Sequence, residues 1–410
     1  MTDVFEKAVA ELNLDRSDWQ LVNFGDVAIQ QKQTVDREST ELTRYVKGEH
    51  MYSEDIHLRE WGELTDEYLG PAFIRKFEEG DILYGSRRTY LRKVVIAPFE
   101  GITSNTTFVI KANEEKIDKR LLPFIMLSEG FSQHSIKNSK GSVNPYVNWK
   151  DLAGYEFLLP SVEQQTFIAD LFDSIDQILE TEKSTYTRLN LNLEANIEAQ
   201  IHGVELEGKT INQVLDELEK KIEILPLNKL GKIFKGKGIA KSEVVETGLP
   251  CIRYGELYTK HHRIIRKYHS FITKESASKS IELKKGDVLL AGSGETISEI
   301  GKSASFIDEE TVYAGSDIII FRPDNMDERY LGYLMNSILI RQQLNKVGTG
   351  ATVMHIYGSD IEKIRVPVID KNKQKEIGDN LEEIFSSITL VKSRENKTIT
   401  LRKSLINQVF

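Results

Sequence analysis

The sequence predicts an α+β protein that uses one unit twice. Two mixed α/β domains are each followed by a long helix, the two helices pair as an antiparallel coiled coil, and the whole carries a pseudo-two-fold internal repeat. Three observations predict this. The chain resembles itself at an offset of about 207 residues. Two segments, one per half, carry apolar residues at intervals that alternate between four and three. The stretches before them hold short β-branched runs punctuated by Gly, Pro and Asn.

The repeat comes first. Between residues 5–27 and 211–233 the offset is 206: Phe5 meets Ile211, Leu12 meets Leu218, Gly25 meets Gly231 and Val27 meets Ile233. Gly80-Asp81-Ile82-Leu83 falls on Gly286-Asp287-Val288-Leu289 at the same offset. Later it becomes 209, where Asp151-Leu152 meets Asp360-Ile361, Gln165 meets Gln374 and Ile168 meets Ile377. Loop insertions account for such a drift. The period is far too long for a solenoid, so it marks two copies of a domain-plus-helix unit.

The helices follow. The first seam is Ile168, Phe172, Ile175, Leu179, Glu182, Tyr186, Leu189, Leu193 and Asn196. The second is Ile377, Leu381, Ile384, Ile388, Val391, Glu395, Thr398, Arg402, Leu405 and Val409. A sustained 3.5-residue period is that of a coiled coil, and matching registers favour pairing of the two helices with each other. Polar Glu182, Asn196 and Glu395 would fix register at some cost in stability. A helix over residues 163–201 would be about 58 Å long, a spacer rather than a surface helix.

Strands are expected at Asp81–Tyr84, Lys93–Ala97 and Thr106–Ile110, and again at Asp287–Leu290, Ala304–Ile307 and Asp317–Phe321. The division that results is a domain over 1–160, a helix over 161–203, a second domain over 204–368 opened by a connecting helix at 204–224, and a second helix over 369–410.

Composition bounds the function. A chain of 410 residues with 40% hydrophobic and 29% charged residues is ordinary globular material for two or three domains. No apolar run reaches the length of about 20 residues that a membrane helix needs, and the first residues lack the basic and apolar regions of a secretory signal. A cytoplasmic protein is the expectation. A lone cysteine, Cys251, excludes an internal disulfide and any multi-cysteine metal site. The net charge of −9 argues at first against nucleic acid. Residues 161–223, however, hold 14 acidic and 5 basic residues and carry the whole excess, so the rest of the chain is neutral with local basic clusters.

At this point the residues resemble a known family, the specificity (S) subunits of type I restriction–modification enzymes. In the first half the resemblance rests on the segments Arg44–His50, Gly80–Lys93 and Asn148–Leu152 and on the helix entry Leu159-Pro160-Ser161-Val162-Glu163-Gln164-Gln165. In the second half it rests on Ile252–Tyr258, Gly286–Leu289 and Thr349–Thr352. The second helix entry departs from the pattern, keeping Gln374 but lacking the Glu. The resemblance implies a non-catalytic subunit with two target recognition domains, each reading one half of a split, asymmetric sequence in double-stranded DNA. It also implies that the helices fix the gap and dock methyltransferase (modification) subunits, which a restriction (motor nuclease) subunit joins. It places no cofactor in this chain; S-adenosylmethionine, ATP and Mg are expected on the partner subunits, in a bacterial or archaeal, nucleoid-associated setting. A pseudo-dyad in the protein matches two half-sites on a duplex.

Specific readout needs cations and amides at base edges and further polar groups on phosphates. Arg87, Arg88, Tyr90, Arg92 and Lys93 crowd four cations into seven residues after a strand. Arg44, Lys47 and His50 form a second candidate loop, and Lys140 and Asn144 lie in a Gly- and Ser-bearing third. In the second domain the candidates are Lys235, Lys237 and Lys241 around two glycines, then Arg253, Tyr254, His261, His262 and Arg263, and then Thr349 and Thr352.

Signals of catalysis are weak. Asn144-Pro145-Tyr146 lacks a proline of the adenine methyltransferase motif, and no Gly-rich turn for a cofactor accompanies it. Gly292-Ser293-Gly294-Glu295 is too short for a phosphate loop. Glu282-Leu283-Lys284 has no upstream Pro-Asp, and His261-His262 has no carboxylate or cysteine at ligand spacing. The alternatives are a self-contained DNA methyltransferase or nuclease, which would need those motifs, and a coiled-coil protein scaffold, which would not need two diverged domains with basic loops.

Overall fold

The computed structural model describes residues 14–36, 39–65, 68–203, 208–294, 300–347 and 354–410. The chain forms two compact units, one of Met1–Ser184 with Lys392–Phe410 and one of Thr185–Val391. The division falls inside both long helices, Val162–Ile201 and Lys371–Val409. Among the described residues no helix is long and apolar enough to cross a membrane.

In the first unit one sheet holds β2 (Ala28–Gln31), β9 (Thr107–Ala112), β6 (Ile82–Gly85) and β7 (Val94–Ile96), in that order. A second holds β4 (Gly62–Glu63), β3 (Arg44–Val46), β8 (Gly101–Ser104) and β5 (Phe73–Phe77). A separate ribbon joins β1 (Gln20–Asn23) to β10 (Glu156–Leu159), the strand that feeds the first long helix. The three strands expected from β-branched runs are present within a residue or two of their predicted bounds. Their alternate side chains enter a core with the helices Leu122–Leu127 and Glu129–Lys137. The same core takes Ile168, Phe172, Ile175 and Leu179 from the first long helix and Leu405 and Val409 from the end of the second. Each such fully buried side chain contributes about 1.5–3 kcal/mol of transfer free energy.

The second unit repeats this wiring. One sheet holds β12 (Gly231–Lys235), β22 (Ile318–Pro323), β18 (Val288–Ala291), β20 (Ser303–Phe306) and β15 (Arg263–Ile265). The other runs β13 (Val244–Val245), β16 (Ser270–Ile272), β14 (Leu249–Ile252), β21 (Tyr313–Ala314), β17 (Ile281–Glu282). The ribbon is β11 (Glu223–Pro226) with β24 (Arg365–Val368). Here Leu193, Ile377, Leu381 and Ile388 are in the core, with Tyr186, Leu189 and Ile384 packed against it and Val391 half-buried. The parallel pair β3–β8 matches the parallel pair β14–β21. In the first unit the place of β15, which pairs with β20 in the second, is taken by a single parallel bridge, His57 to Ile96.

Strand registers date the repeat more finely than the alignment did. Gln30 and Ile82 both pair with Ile110, while Ile233 and Val288 both pair with Phe321. The offset is therefore 203 at the first strand (30 to 233), 206 at β6 (82 to 288), 211 at β9 (110 to 321) and 209 at β10, where Glu156 matches Arg365. The offset of 206 expected for residues up to 27 is three too large, so Val27 corresponds to Leu230 rather than Ile233. Three residues is close to one helical turn, so a slip of that size leaves apolar matches in place. The part of that alignment on residues 5–13 lies outside the described residues.

Two of the shared motifs are framework. Gly80 and Gly286 both adopt positive φ, +84° and +94°, a conformation that glycine enters without strain. The following aspartates close the turns: Asp81 accepts the Glu78 amide and Asp287 the Lys284 amide, each at 2.8 Å. The glutamine at the helix entry is buried in both copies. Gln165 accepts the Asp118 amide at 2.8 Å and donates to the Pro160 carbonyl at 3.0 Å. Gln374 accepts the Asp327 amide and donates to the Ile369 carbonyl, both at 2.9 Å. Each therefore locks the start of a long helix to the loop that precedes a core helix. Gln374→Ala leaves two backbone groups unpaired and is expected to cost about 1–3 kcal/mol in denaturant unfolding; a loss within experimental error would show that water replaces both bonds.

Candidate nucleic-acid interface

In the first unit the chain leaves β6 into a ledge. Arg87 forms an isolated β-bridge with Tyr146, and Lys140 forms another with Tyr146. Residues 140–146 thus stand as a hairpin against the ledge, with Gly141 at φ +91° in its turn. Arg88 takes a left-handed conformation (φ 50°, ψ 52°), and its amide donates to the Pro145 carbonyl at 2.7 Å. Its Nε donates to the Asn144 Oδ1 at 3.3 Å. Arg87, Arg88, Tyr90, Lys140 and Asn144 are all exposed, and Val143 at the hairpin tip is 91% exposed. Two guanidiniums, an aromatic face and a side-chain amide on one rigid surface form the chemistry that contacts phosphates and base edges. The strained backbone at Arg88 is held by the bond to Pro145, as expected at a functional loop.

The structure also brings the second predicted loop to this ledge. Lys93 Nζ donates to the Gly48 carbonyl at 2.5 Å, which joins the Arg44–His50 segment to the end of the ledge. Burial and the Arg88 charge hold the Lys93 ammonium below its usual pKa. Within the segment, His50 Nδ1 accepts the Lys47 amide at 3.2 Å, Lys47 lies 3.6 Å from Glu49, and Arg44 sits over the Phe99 ring and 3.6 Å from Glu63.

In the second unit Lys235, Lys237 and Lys241 are exposed around a loop with positive φ at Gly238 and Ile239, and Lys235 pairs with Asp317 at 3.0 Å. Tyr254 and His262 are exposed and Arg253 is half-buried. The loop of Thr349 and Thr352 lies outside the described residues.

Three predicted contacts are corrected. Arg92 turns inward and pairs with Glu54 at 3.2 Å and Glu129 at 2.5 Å. Arg263 is 6% exposed and donates to Glu194 on the first long helix at 2.6 Å. His261 is buried beside Glu256, at 3.7 Å. In sequence these residues look like the tips of basic loops. In the fold, each meets an acid that the sequence places far away or on the facing side of a short helix, and burial without that acid would be too costly.

Those acids explain the charge pattern. Among the described residues, much of the acid in residues 161–223 faces the protein's own cations. Within the first unit Arg120 reaches Asp170 at 2.6 Å and Asp173 at 2.9 Å, Arg59 holds Glu180 at 2.6 Å, and Arg402 meets Asp176 at 3.1 Å. Within the second, Glu194 takes Arg263, and Glu198 accepts the Ile338 amide at 2.9 Å. Glu182, a polar seam position, is buried and faces Arg394 at 3.4 Å. His57 Nε2 donates to the Asp176 carboxylate at 2.7 Å, and that carboxylate raises the imidazole pKa. The Arg59 guanidinium holds Glu180 down to about 2. Asp55, His57 and Glu180 stand close enough together to hold a metal ion. Their oxygens already face Arg59 and Lys183, at 2.6–3.2 Å, so two cations occupy the position a metal would take.

The comparisons with known proteins agree with this architecture. The profile of the type I restriction modification DNA specificity domain matches twice, over residues 16–191 and 219–401, and the chain belongs to that family. The two matches begin 203 residues apart, the offset that the strand registers give (16 to 219). The specificity subunit of the type I restriction enzyme MjaVIII of Methanocaldococcus jannaschii is 22% identical over 410 aligned residues, covering 95% of this chain and 91% of the relative. The type I S subunit from M. genitalium shares the fold at a TM-score of 0.60 with 13% identity, over 97% of this chain and 98% of that one. A chain from a study of complex assembly in a type I R-M system gives 0.59 with 17% identity, over 97% and 98%. As a specificity subunit the chain is a non-catalytic DNA-recognition component.

Proposed function

We propose that each unit reads one half of a split, asymmetric DNA target, and that the two long helices pair as an antiparallel coiled coil that sets the gap and docks the modification subunits, which the restriction subunit then joins. One observation carries the reading. The two units share a framework yet differ where that framework is exposed: Arg87 corresponds to Ser293, and Tyr146 to His355, because Arg87 bridges Tyr146 while Ser293 pairs with His355. One frame with different exposed chemistry is what two unlike half-sites require. The contacts proposed are Arg87, Arg88, Tyr90, Lys93, Lys140 and Asn144 with Arg44, Lys47 and His50 in the first unit. In the second they are Lys235, Lys237, Lys241, Arg253, Tyr254 and His262, with Thr349 and Thr352.

The coiled coil is supported by the 3.5-residue spacing of both seams, by the burial of most seam positions, and by the pairs Asp176–Arg402 and Glu182–Arg394, whose numbers run in opposite directions. The recognition domains would span 1–160 and 204–368 and the helices 161–203 and 369–410, in a cytoplasmic assembly whose S-adenosylmethionine, ATP and Mg sit on the partners.

The test is methylation mapping of the native genome by single-molecule sequencing, with and without this gene. Loss of N6-methyladenine from one split, asymmetric motif is expected; an unchanged methylome in cells where the modification subunits co-purify with this chain would overturn the reading. Inserting one heptad into both helices is expected to lengthen the unread gap and leave both half-sites as they were. An altered half-site would count against the spacer role.

A further inference from the structure

The second unit has a cavity where the first has an indole. By the offset at this point of the chain, Gly358 stands where Trp149 does: each opens a short helix, Trp149–Ala153 or Gly358–Ile361, and two residues on each helix carries an aspartate bonded to the residue before it, Asp151 to the Asn148 side-chain amide and Asp360 to the Tyr357 backbone amide. The Trp149 ring lies 5.9 Å from Phe108 and 6.0 Å from Phe24, filling the space beside β9. In the second unit Ile319 replaces Phe108 on β22, and no side chain projects from position 358. A Cβ added at Gly358 would meet only the Ile233 Cγ2, at 3.4 Å. The result is a cavity of about 420 Å³ lined by Ile233, Ile319, Ile356 and Gly358, with Phe234 and the 60%-exposed Tyr357 also on its wall.

We propose that this cavity binds a planar aromatic heterocycle of indole or purine size. The volume falls in the range of small-ligand sites, and the walls have the composition of one, apolar with a few convergent polar groups. The isoleucine side chains and the Tyr357 ring take the faces of a flat ring. The polar groups lie at the edge: Ser293 Oγ and His355 Nδ1 are 3.1 Å apart, and Lys235 pairs with Asp317 at 3.0 Å. A hydroxyl, an imidazole, an ammonium and a carboxylate supply donors and acceptors for ring nitrogens and exocyclic groups. Ser293 and His355 stand where Arg87 and Tyr146 form the ledge of the first unit, so the mouth opens beside the surface proposed to face DNA. The heterocycle has two sources, a base swung out of the duplex or a free nucleobase or nucleotide. The cavity itself does not depend on the DNA reading; only the choice of source does.

The experiment titrates the full chain with adenine and, separately, with indole, by calorimetry and ligand-observed NMR. Saturable binding with Kd on the order of 100 µM is expected for ligands of about ten heavy atoms. Gly358→Trp, which restores the side chain of the sibling unit, is expected to weaken binding at least tenfold. If that variant fails to fold, Ile319→Phe narrows the same space and should weaken binding likewise with the melting temperature retained. No saturable binding of either probe to the unaltered chain, or equal binding by a folded variant, overturns the proposal. Adding saturating target duplex then separates the sources: displacement of adenine assigns the cavity to a DNA base, and undisturbed binding assigns it to a free heterocycle.

Discussion

Replacing Arg87 and Arg88 together by alanine is expected to weaken binding of the target duplex about a hundredfold at fixed salt while leaving the melting temperature unchanged. Both side chains are exposed on a ledge whose backbone is fixed by the Arg87–Tyr146 bridge and by the Arg88 amide bond to Pro145, so truncation removes charge without opening the fold. A bidentate guanidinium contact to a base discriminates by about 1–3 kcal/mol, and a phosphate contact contributes about 0.9 to the slope of log K against log salt. The two roles separate in the measurement. Loss of two phosphate contacts lowers the slope by about 2 and weakens all sequences alike. Loss of base contacts leaves the slope and relaxes the sequence preference of one half-site. Unchanged affinity together with an unchanged slope would remove the ledge from the interface. Arg92→Ala serves as the contrast, because Arg92 is tied to Glu54 and Glu129 and its loss should appear in stability.

The second large effect belongs to the framework. Asp287 is fully buried, accepts the Lys284 amide at 2.8 Å, and takes Arg322 in a two-pronged pair at 2.6 and 2.7 Å. Asp287→Ala leaves an amide unpaired in the turn and strips the Arg322 guanidinium of its acid. A loss of about 2–4 kcal/mol is expected, lessened by the partial exposure of Arg322. In a unit of about two hundred residues this lowers the melting temperature by roughly 4–16 °C. Asp287→Asn keeps the turn bond and should lose less. If alanine and asparagine destabilise equally, the charge pair carries the whole effect and the turn bond none.

Much of the architecture was legible in the sequence because its signals are local and periodic. The seams Ile168–Leu193 and Ile377–Val409 follow from spacing alone, and the strands around Ile82, Val94 and Thr107 follow from β-branched runs between turn residues. Gly80 and Gly286 were visible as a repeated motif, although their service to a left-handed turn emerges only from the backbone. What could not be read was the destination of each charge. Arg92 and Arg88 are four residues apart in one cluster, yet the Arg92 side chain is mostly covered and tied to Glu129 while Arg88 faces solvent. Arg263 meets Glu194, 69 positions away. Such pairings depend on the tertiary path of the chain. One signal did point to them: an acidic segment laid along a helix seam, beside domains with basic clusters, is a set of counter-charges awaiting partners. The alignment already set Gly358 opposite Trp149 at the offset of 209, but that the missing side chain leaves a cavity emerges only from the packing.

The separation of inward from outward cations bears on how such a protein changes over generations. Arg59, Arg92, Arg120, Arg263 and Arg402 join a domain to helix residues or to its own core. The ledge at Arg87–Tyr90 and the hairpin at Lys140–Tyr146 bond chiefly to each other. Mutation can therefore rewrite the exposed loops while the anchors stay fixed, and a new target preference need not be bought with a new fold. A recombination event that transplants a whole domain succeeds to the extent that the incoming domain presents its arginines to the resident acids Asp170, Glu180 and Glu194. Those few pairings act as a compatibility code between exchangeable parts, and variation should be scarce there and plentiful a few residues away.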